Sequence, residues 1–222
     1  MESKKAQKIL SDLESGYDLI ADKFSATRAF MWRDLRFVKD YVKPGDKVLD
    51  FGCGNGRLAG FLENGYKEFV GVDISEELIN IAKQKYSNEK NRFVKLSSDF
   101  SELPFKDNHF DVVFSIAVFH HFPSEEYSLR IAKELHRVLK PGGKIVVTVW
   151  NLWQKRFSRL SLKKDRSDWG GLYIPFKAGD KVFERYHHPF KIEELKSLFE
   201  EAGFRTLVTK KGWNLFYIGG KR

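Results

Sequence analysis

Short apolar runs alternate with amphipathic segments along most of this chain. Runs rich in valine, isoleucine and phenylalanine predict strands, and apolar residues spaced three or four positions apart predict helices. The predicted strands are 47–51, 69–72, 92–96, 110–117 and 144–150, followed by a hairpin of 206–210 and 214–219. The predicted helices are 11–23, 29–42, 58–64, one that starts at Ser75, 124–139 and 192–202.

This alternation predicts an α/β fold in which a mostly parallel sheet is covered on both faces. We expect seven strands in a Rossmann-like arrangement, with a C-terminal antiparallel hairpin and an irregular segment before the last helix. Ligands of such sheets bind beyond the carboxyl ends of the strands. The residues that follow the first four strands should therefore meet in one crevice, and strand 92–96 should lie at a sheet edge.

The first predicted strand ends in an acid that three alternating glycines follow, in the order Asp50-Phe51-Gly52-Cys53-Gly54-Asn55-Gly56. Glycine lacks a Cβ, so its backbone can take positive φ and a ligand can approach it closely. The second predicted strand ends in Asp73, where an acid is placed to bind ribose hydroxyls. A plain tight turn would also explain the glycines, but two acids at neighbouring strand ends favour a nucleoside-bearing cofactor.

The Asp50–Gly56 pattern resembles the class I S-adenosylmethionine-dependent methyltransferases, and the 135–143 connection is similar to theirs. The resemblance implies a class I methyltransferase fold, S-adenosyl-L-methionine as cofactor, a single domain over 1–222 and no metal. It also implies a contact between Asp99 and the adenine amino group, although Asp99 could instead cap a turn. The cofactor-binding residues it implies are Asp50, Gly52, Gly54, Gly56, Asp73, Ile74, Asp99, Phe100, Ser115 and Tyr17.

A narrower resemblance begins at residues 17–32, which contain Tyr17-Asp18, Ser25-x-Thr27-Arg28 and Trp32. This segment is similar to the tRNA wobble-uridine carboxymethyl methyltransferases, which esterify a 5-carboxymethyl group on uridine 34 of tRNA. The chain departs from that family in lacking a long charged insertion before Arg185 and in reading Gly212-Trp213-Asn214 near its end. The similarity continues at 115–122, 149–150, 173–176 and 185–188.

The resemblance implies that Arg28, His120, Arg185 and His188 surround the methyl acceptor. A carboxymethyl group is ionised at neutral pH, since carboxylic acids titrate near ~4, and its oxygen needs no base to remove a proton. An arginine can orient a carboxylate through two parallel hydrogen bonds, and neutral histidines can supplement it. Each histidine could instead be a satisfied structural residue, and Tyr17 could simply pack its helix.

The net charge of +9 and the isoelectric point near 9.4 permit a polyanionic partner. We expect residues 1–43 to form an N-terminal helical cap and 151–190 a basic and aromatic insertion on the substrate side. A solvated basic loop is the alternative interpretation of that insertion. Its first half holds six cations against two acids, namely Lys155, Arg156, Arg159, Lys163, Lys164 and Arg166.

Cys53 is the only cysteine, so an internal disulfide is impossible, and no apolar run approaches a membrane span. The sequence thus predicts a cytoplasmic protein without membrane contact.

The resemblance implies tRNA as a partner and, as in eukaryal members, a small zinc-binding methyltransferase activator protein. Two other functions remain open: a small-molecule O- or N-methyltransferase and a non-catalytic homologue that binds cofactor or RNA.

Overall fold

A mixed seven-stranded sheet forms the centre of the molecule, in a computed structural model that describes residues 4–63, 65–158, 163–165 and 169–222. The order across this sheet is β3-β2-β1-β4-β5-β10-β9, and β10 runs antiparallel to both of its neighbours. A smaller antiparallel sheet has the order β6-β7-β8. The strands are β1 Lys47–Phe51, β2 Glu68–Asp73, β3 Asn91–Lys95, β4 Phe110–Ile116, β5 Leu139–Trp150, β6 Lys163–Asp165, β7 Gly171–Ala178, β8 Lys181–His187, β9 Arg205–Lys211 and β10 Asn214–Gly220.

Helices cover both faces of the large sheet because successive strand residues point to opposite sides. Leu49 packs in the core cluster that contains α4 and α6, whereas Val48 packs in the cluster that contains α2, α3 and the first 3-10 helix. Among the described residues, no helix is long and apolar enough to cross a membrane. The helices are α1 Lys4–Thr27, α2 Arg57–Leu62, α3 Glu76–Tyr86, α4 Glu125–Val138, α5 Lys155–Ser158 and α6 Ile192–Glu201, with 3-10 helices at Arg33–Tyr41 and Phe119–His121.

The predicted seven-stranded α/β sheet and its C-terminal hairpin are confirmed, and β3 lies at the edge as expected. The bounds of three elements differ most from the prediction. The N-terminal helix is continuous from Lys4 to Thr27, and the following helical segment is a 3-10 helix. Strand β5 begins at Leu139, before the Pro141-Gly142 pair, because Leu139 pairs with Phe110 and the Gly142 N–H donates to the Lys221 carbonyl.

The prediction of an irregular segment before α6 is wrong for residues 171–187, which form the hairpin of β7 and β8. This hairpin packs against α1, where Phe183 and Tyr186 join Ile20 in a separate apolar cluster. Gly16 makes the close contact possible, since a Cβ there would lie 2.2 Å from the Phe183 ring. Helix α1 and the small sheet together make a cover over the carboxyl ends of β1, β2 and β4.

Candidate active site

The cavity under this cover encloses about 1170 Å³ of empty space, including its open mouth. Its floor comes from the loops after β1, β2 and β4. Its cover comes from α1, the Met31–Trp32 segment and β8.

The glycine loop after β1 is shaped by hydrogen bonds to the next strand. The N–H groups of Gly52 and Cys53 both donate to the Val72 carbonyl, at 2.8 and 3.0 Å. Gly52 and Gly54 line the cavity with φ values of +76° and +54°, a conformation that side chains disfavour. A Cβ on Gly52 would lie 2.3 Å from the Val118 side chain, so this glycine also keeps the cavity floor open.

A buried acid, Asp50, and a partly buried one, Asp73, form the negative end of the cavity. The Asp73 carboxylate accepts hydrogen bonds from the N–H groups of Gly54 and Ser75, at 2.8 and 2.9 Å. Burial raises the pKa of Asp73, and these backbone donors oppose the rise. Burial also raises the pKa of Asp50 to about 7, with Arg57 opposing and Asp73 adding to the effect. A cationic ligand bound at this end would lower the pKa of both carboxyl groups, because a nearby positive charge favours the ionised form.

Two arginines form the positive end. Arg185 lines the cavity, although only 4% of it is exposed, and its Nε finds no hydrogen-bond partner in the described part of the chain. Burial lowers the pKa of Arg28, and the nearby charge of Arg185 lowers it further. Within the described part of the chain, neither arginine forms an ion pair with a carboxylate. Burying a guanidinium without an anion is costly, so this end of the cavity suits an anionic ligand.

A chain of hydrogen bonds supports Arg185 from behind. The Nδ1 of His121 lies 2.8 Å from the Tyr186 carbonyl and therefore donates to it, which leaves Nε2 to accept from the Tyr17 hydroxyl at 2.9 Å. Burial raises the pKa of Tyr17, and the charge of Arg185 and its hydrogen bond to Tyr17 oppose that rise. His121 thus fixes the orientation of the phenol that Arg185 contacts.

The three histidines beside Arg185 are neutral. Burial lowers the pKa of His121 to about 3, and it holds the pKa values of His120 and His187 well below their usual range. One nitrogen from each of the three lies within 4.8 Å of the others, so a metal site is conceivable there. Both nitrogens of His121 are already hydrogen-bonded, however. The rings of His120 and His187 are stacked 9° from parallel, so their in-plane lone pairs do not converge.

The structure brings most of the sequence-predicted site residues to the cavity wall, and four lie elsewhere. His188 bonds Glu194 at 2.7 Å and stacks on Trp169. Asp99 is exposed and bonds Ser97. The other two are Ser115, buried within β4, and Gly56, which packs against α3. The residues at the wall are Tyr17, Arg28, Asp50, Gly52, Gly54, Asp73, Ile74, Phe100, His120 and Arg185.

The cavity wall also contains Arg57 and Trp150, which the sequence patterns did not assign to the site. Arg57 directly follows the last glycine of the loop, and its guanidinium carbon lies 4.5 Å from the centre of the Trp32 ring. Trp150 ends β5, so the rule that ligands bind beyond strand ends could have identified it. Of the six cations in the predicted basic segment, Arg159 and Arg166 lie outside the described residues.

Comparisons with known proteins agree with this architecture. A family model described as a methyltransferase domain matches residues 49–147. A Pyrococcus horikoshii protein of known structure is 26% identical, with a TM-score of 0.67 over 84% of this chain and 86% of that one. The chain crystallised with the Haloferax volcanii Trm112 methyltransferase activator is 18% identical, with a TM-score of 0.69 over 93% and 96% of the two chains, which shows a shared fold.

Two curated relatives bear the name tRNA (carboxymethyluridine(34)-5-O)-methyltransferase. The Arabidopsis thaliana protein is 37% identical over 65% of this chain, which spans about a third, 34%, of that longer relative. The Schizosaccharomyces pombe protein is 32% identical, and the match covers 84% of this chain and 86% of the relative. With that identity over most of both lengths, the chain belongs to the methyltransferase family that includes the S. pombe protein.

Proposed function

We propose that this chain uses S-adenosyl-L-methionine to esterify the carboxymethyl group of 5-carboxymethyluridine at the wobble position of tRNA, uridine 34. The names of the S. pombe and A. thaliana relatives support this acceptor. The structural observation that carries the proposal is Arg185, a buried cation that faces the cavity and has no carboxylate partner among the described residues. A carboxylate on the acceptor would supply the missing anion.

The residues at the other end of the cavity fit the cofactor. Asp73 presents a partly buried carboxylate where ribose hydroxyls can donate to it, and Ile74 and Phe100 offer apolar flanks for a purine ring. The cradle between Gly52 and Val118 has no space for an added Cβ. When bound, S-adenosyl-L-methionine would supply an electrophilic methyl group to an oxygen of the acceptor.

The protein's own work in this reaction is positioning. Arg28 and Arg185 can each donate two hydrogen bonds to a carboxylate, which holds it in one orientation. Such alignment can contribute ~7–11 kcal/mol to a reaction between two bound groups. The neutral histidines do not form ion pairs with the carboxylate. They also do not need to act as bases, because the carboxylate is already ionised at neutral pH.

We also propose that the chain binds a small zinc-binding activator protein. The support is its shared fold with the chain that was crystallised with the H. volcanii Trm112 activator. Strand β3 is a free sheet edge among the described residues, and such an edge can pair with a partner strand. Lys95 does not obstruct that edge with a free charge, because it forms an ion pair with Glu14 at 2.7 Å.

The test is methyl transfer to tRNA that carries 5-carboxymethyluridine, with labelled cofactor and nucleoside mass spectrometry. The product should be a methyl ester on uridine, whose label leaves as methanol in mild alkali. Arg28→Ala and Arg185→Ala should each reduce kcat/KM roughly 10- to 100-fold, the value of a charge-assisted hydrogen bond of about 1.5–3 kcal/mol.

Cofactor affinity separates this loss from misfolding. Both variants should bind S-adenosyl-L-methionine within about threefold of the parent, because the acidic end of the cavity is intact. Arg185→Lys should restore activity only in part, since an ammonium lacks the planar fork of a guanidinium. Arg205→Ala, at an exposed position on β9, is the matched control. An alkali-stable label, or transfer to a small molecule with tRNA untouched, would refute the wobble-uridine assignment.

A further inference from the structure

An open groove of about 1460 Å³ lies next to the cavity and shares three wall residues with it, namely Arg28, Trp32 and Trp150. Beyond these, its wall includes Arg156 and Trp213, so that aromatic and cationic side chains dominate the lining. The groove is continuous with the cationic end of the cavity. Whatever enters the cavity as acceptor can therefore extend into the groove.

The groove wall is held in place by contacts across three segments of the chain. In the turn between β9 and β10, the Gly212 and Trp213 carbonyls accept hydrogen bonds from the Asn151 and Gln154 amides, at 3.0 and 2.9 Å. Asn214 donates to Asp34 at 3.1 Å, which ties the same turn to the N-terminal 3-10 helix. The turn backbone is thus fixed, while the indole of Trp213 remains 66% exposed.

Cations and rings alternate along this wall. The guanidinium of Arg156 lies 5.0 Å from the Trp213 ring centre and 4.6 Å from that of Phe157, and Phe157 stacks on Trp150. An exposed indole beside a guanidinium suits a base and its phosphate. Asp34 is the acid in this wall, and its carboxylate accepts from Asn214.

We propose that this groove binds the single-stranded RNA nucleotides that flank the methylated one, with a base on Trp213 and a phosphate near Arg156. The proposal rests on the proposed function, since an enzyme acting on a base within an RNA loop must take that base out of the stack and hold its neighbours. Aromatic faces accept any base, and arginines hold the backbone. The groove thereby selects a single-stranded loop over a free nucleoside.

The probe is an anticodon stem-loop RNA with 5-carboxymethyluridine at the target position and 2-aminopurine at one flanking position, with one RNA for each side. Binding should quench the 2-aminopurine fluorescence of at least one of them as the base stacks on an indole. Trp213→Ala should abolish that quench and weaken RNA binding about tenfold, within the range for loss of one base–aromatic stack. Trp213→Phe should recover part of both, because it keeps an aromatic face.

Trp153→Ala is the matched control, because its indole is 60% exposed and lies outside the groove wall. This variant should keep RNA affinity within about twofold. Arg156→Ala should reduce the slope of log affinity against log salt by about 0.7 for each phosphate that the arginine neutralises. Arg205→Ala should leave the slope unchanged. Equal affinity and quench in parent and Trp213→Ala, or an equal reduction in Trp153→Ala, would overturn the groove assignment.

Methyl transfer to the same RNA reports separately on the proposed function. Quench and Trp213-dependent binding without transfer would support the groove and refute the proposed acceptor chemistry. Transfer that Trp213→Ala leaves unaltered in both KM and kcat would support the acceptor chemistry and overturn the groove. If parent and Trp213→Ala bind RNA with equal affinity, and the variant no longer binds a protein partner, the groove would be assigned to that protein instead.

Discussion

At the scale of single residues, Asp50 differs most from a surface acid. Its pKa of about 7 means that half of the molecules carry a protonated carboxyl at neutral pH, whereas an unperturbed aspartate would be fully ionised. A bound cation favours the ionised form of a neighbouring carboxyl. Binding of a sulfonium cofactor should therefore release protons from this end of the cavity.

We predict that cofactor affinity rises as the pH increases from about 6 to 8, by roughly tenfold, and levels off above that range. The sign follows because the raised pKa leaves Asp50 protonated below pH 7, where it attracts a cation less. Calorimetric titration at pH 6, 7 and 8 measures this dependence. In Asp50→Asn the dependence should largely disappear, whereas Asp180→Asn, a change in an exposed hairpin turn, should preserve it. A flat profile in the parent would contradict the prediction.

At the scale of elements, the loop after β1 combines a backbone requirement with a steric one. Gly45 and Gly52 both have positive φ, at +104° and +76°. A Cβ on Gly45 would meet nothing within 4 Å, whereas one on Gly52 would lie 2.3 Å from Val118. The two positions therefore separate the cost of the backbone conformation from the cost of the contact.

We predict that Gly45→Ala lowers the free energy of unfolding by about 1–2 kcal/mol, the cost of a left-handed conformation. Gly52→Ala should lower it by a further ~1–3 kcal/mol through overpacking. Urea denaturation measures both changes. The double variant Gly52→Ala, Val118→Ala should recover part of the additional decrease, because the two positions are in contact. Equal costs at Gly45 and Gly52 would show that the loop relaxes away from Val118.

The elements that sequence could predict are those whose burial follows a simple period. Strands β1, β2 and β4 are buried on both faces and appear as apolar runs, and the site acids at the ends of β1 and β2 follow from the strand-end rule. Strand β8 was not predicted because its buried residues include Arg185 and His187, which a hydrophobic pattern counts as polar. Long-range packing against α1, which the local sequence does not encode, buries this strand.

The histidines show the same limit within the site. The sequence places His187 and His188 side by side, and successive strand residues point in opposite directions. Only the structure shows that His187 stacks on His120 beside the cavity while His188 turns towards Glu194 at the start of α6. The sequence alone could not show which of these two neighbouring histidines lies beside the cavity, and the candidate named from it, His188, is the one that points away.

At the scale of the whole molecule, the buried neutral histidines link stability to acid. His120, His121 and His187 have depressed pKa values in the folded state, so the unfolded chain binds more protons below pH ~6.5. The contribution of each neutral histidine to the free energy of unfolding is therefore constant above that pH and decreases as the pH falls below it. At pH 5 the loss is on the order of 2 kcal/mol for each histidine.

We predict that the free energy of unfolding decreases between pH 6.5 and 5. The three histidines should add about 1.5 protons to the slope at pH 6.5 and nearly three, about 2.9, at pH 5. Urea denaturation across this range gives the slope. His187→Gln should remove about one proton from it, whatever its effect on stability at neutral pH. His109→Gln, at a partly exposed position, should change the slope less. An unaltered slope in His187→Gln would show that this residue is protonated in the folded protein.

Different parts of the sequence supply the floor of the cavity and the residues above it. The residues matched by the methyltransferase domain model, 49–147, supply the acids and the glycine loop of its floor, whereas Arg28, Arg185 and Trp213 come from outside that range. Under the proposed function, the floor would hold the cofactor, and most of the residues that face the acceptor come from other stretches of sequence. Evolution could exchange the cover and the groove for another acceptor without altering the floor. An engineer who grafts 1–41 and 150–220 from a relative should likewise change the acceptor and keep the methyl donor.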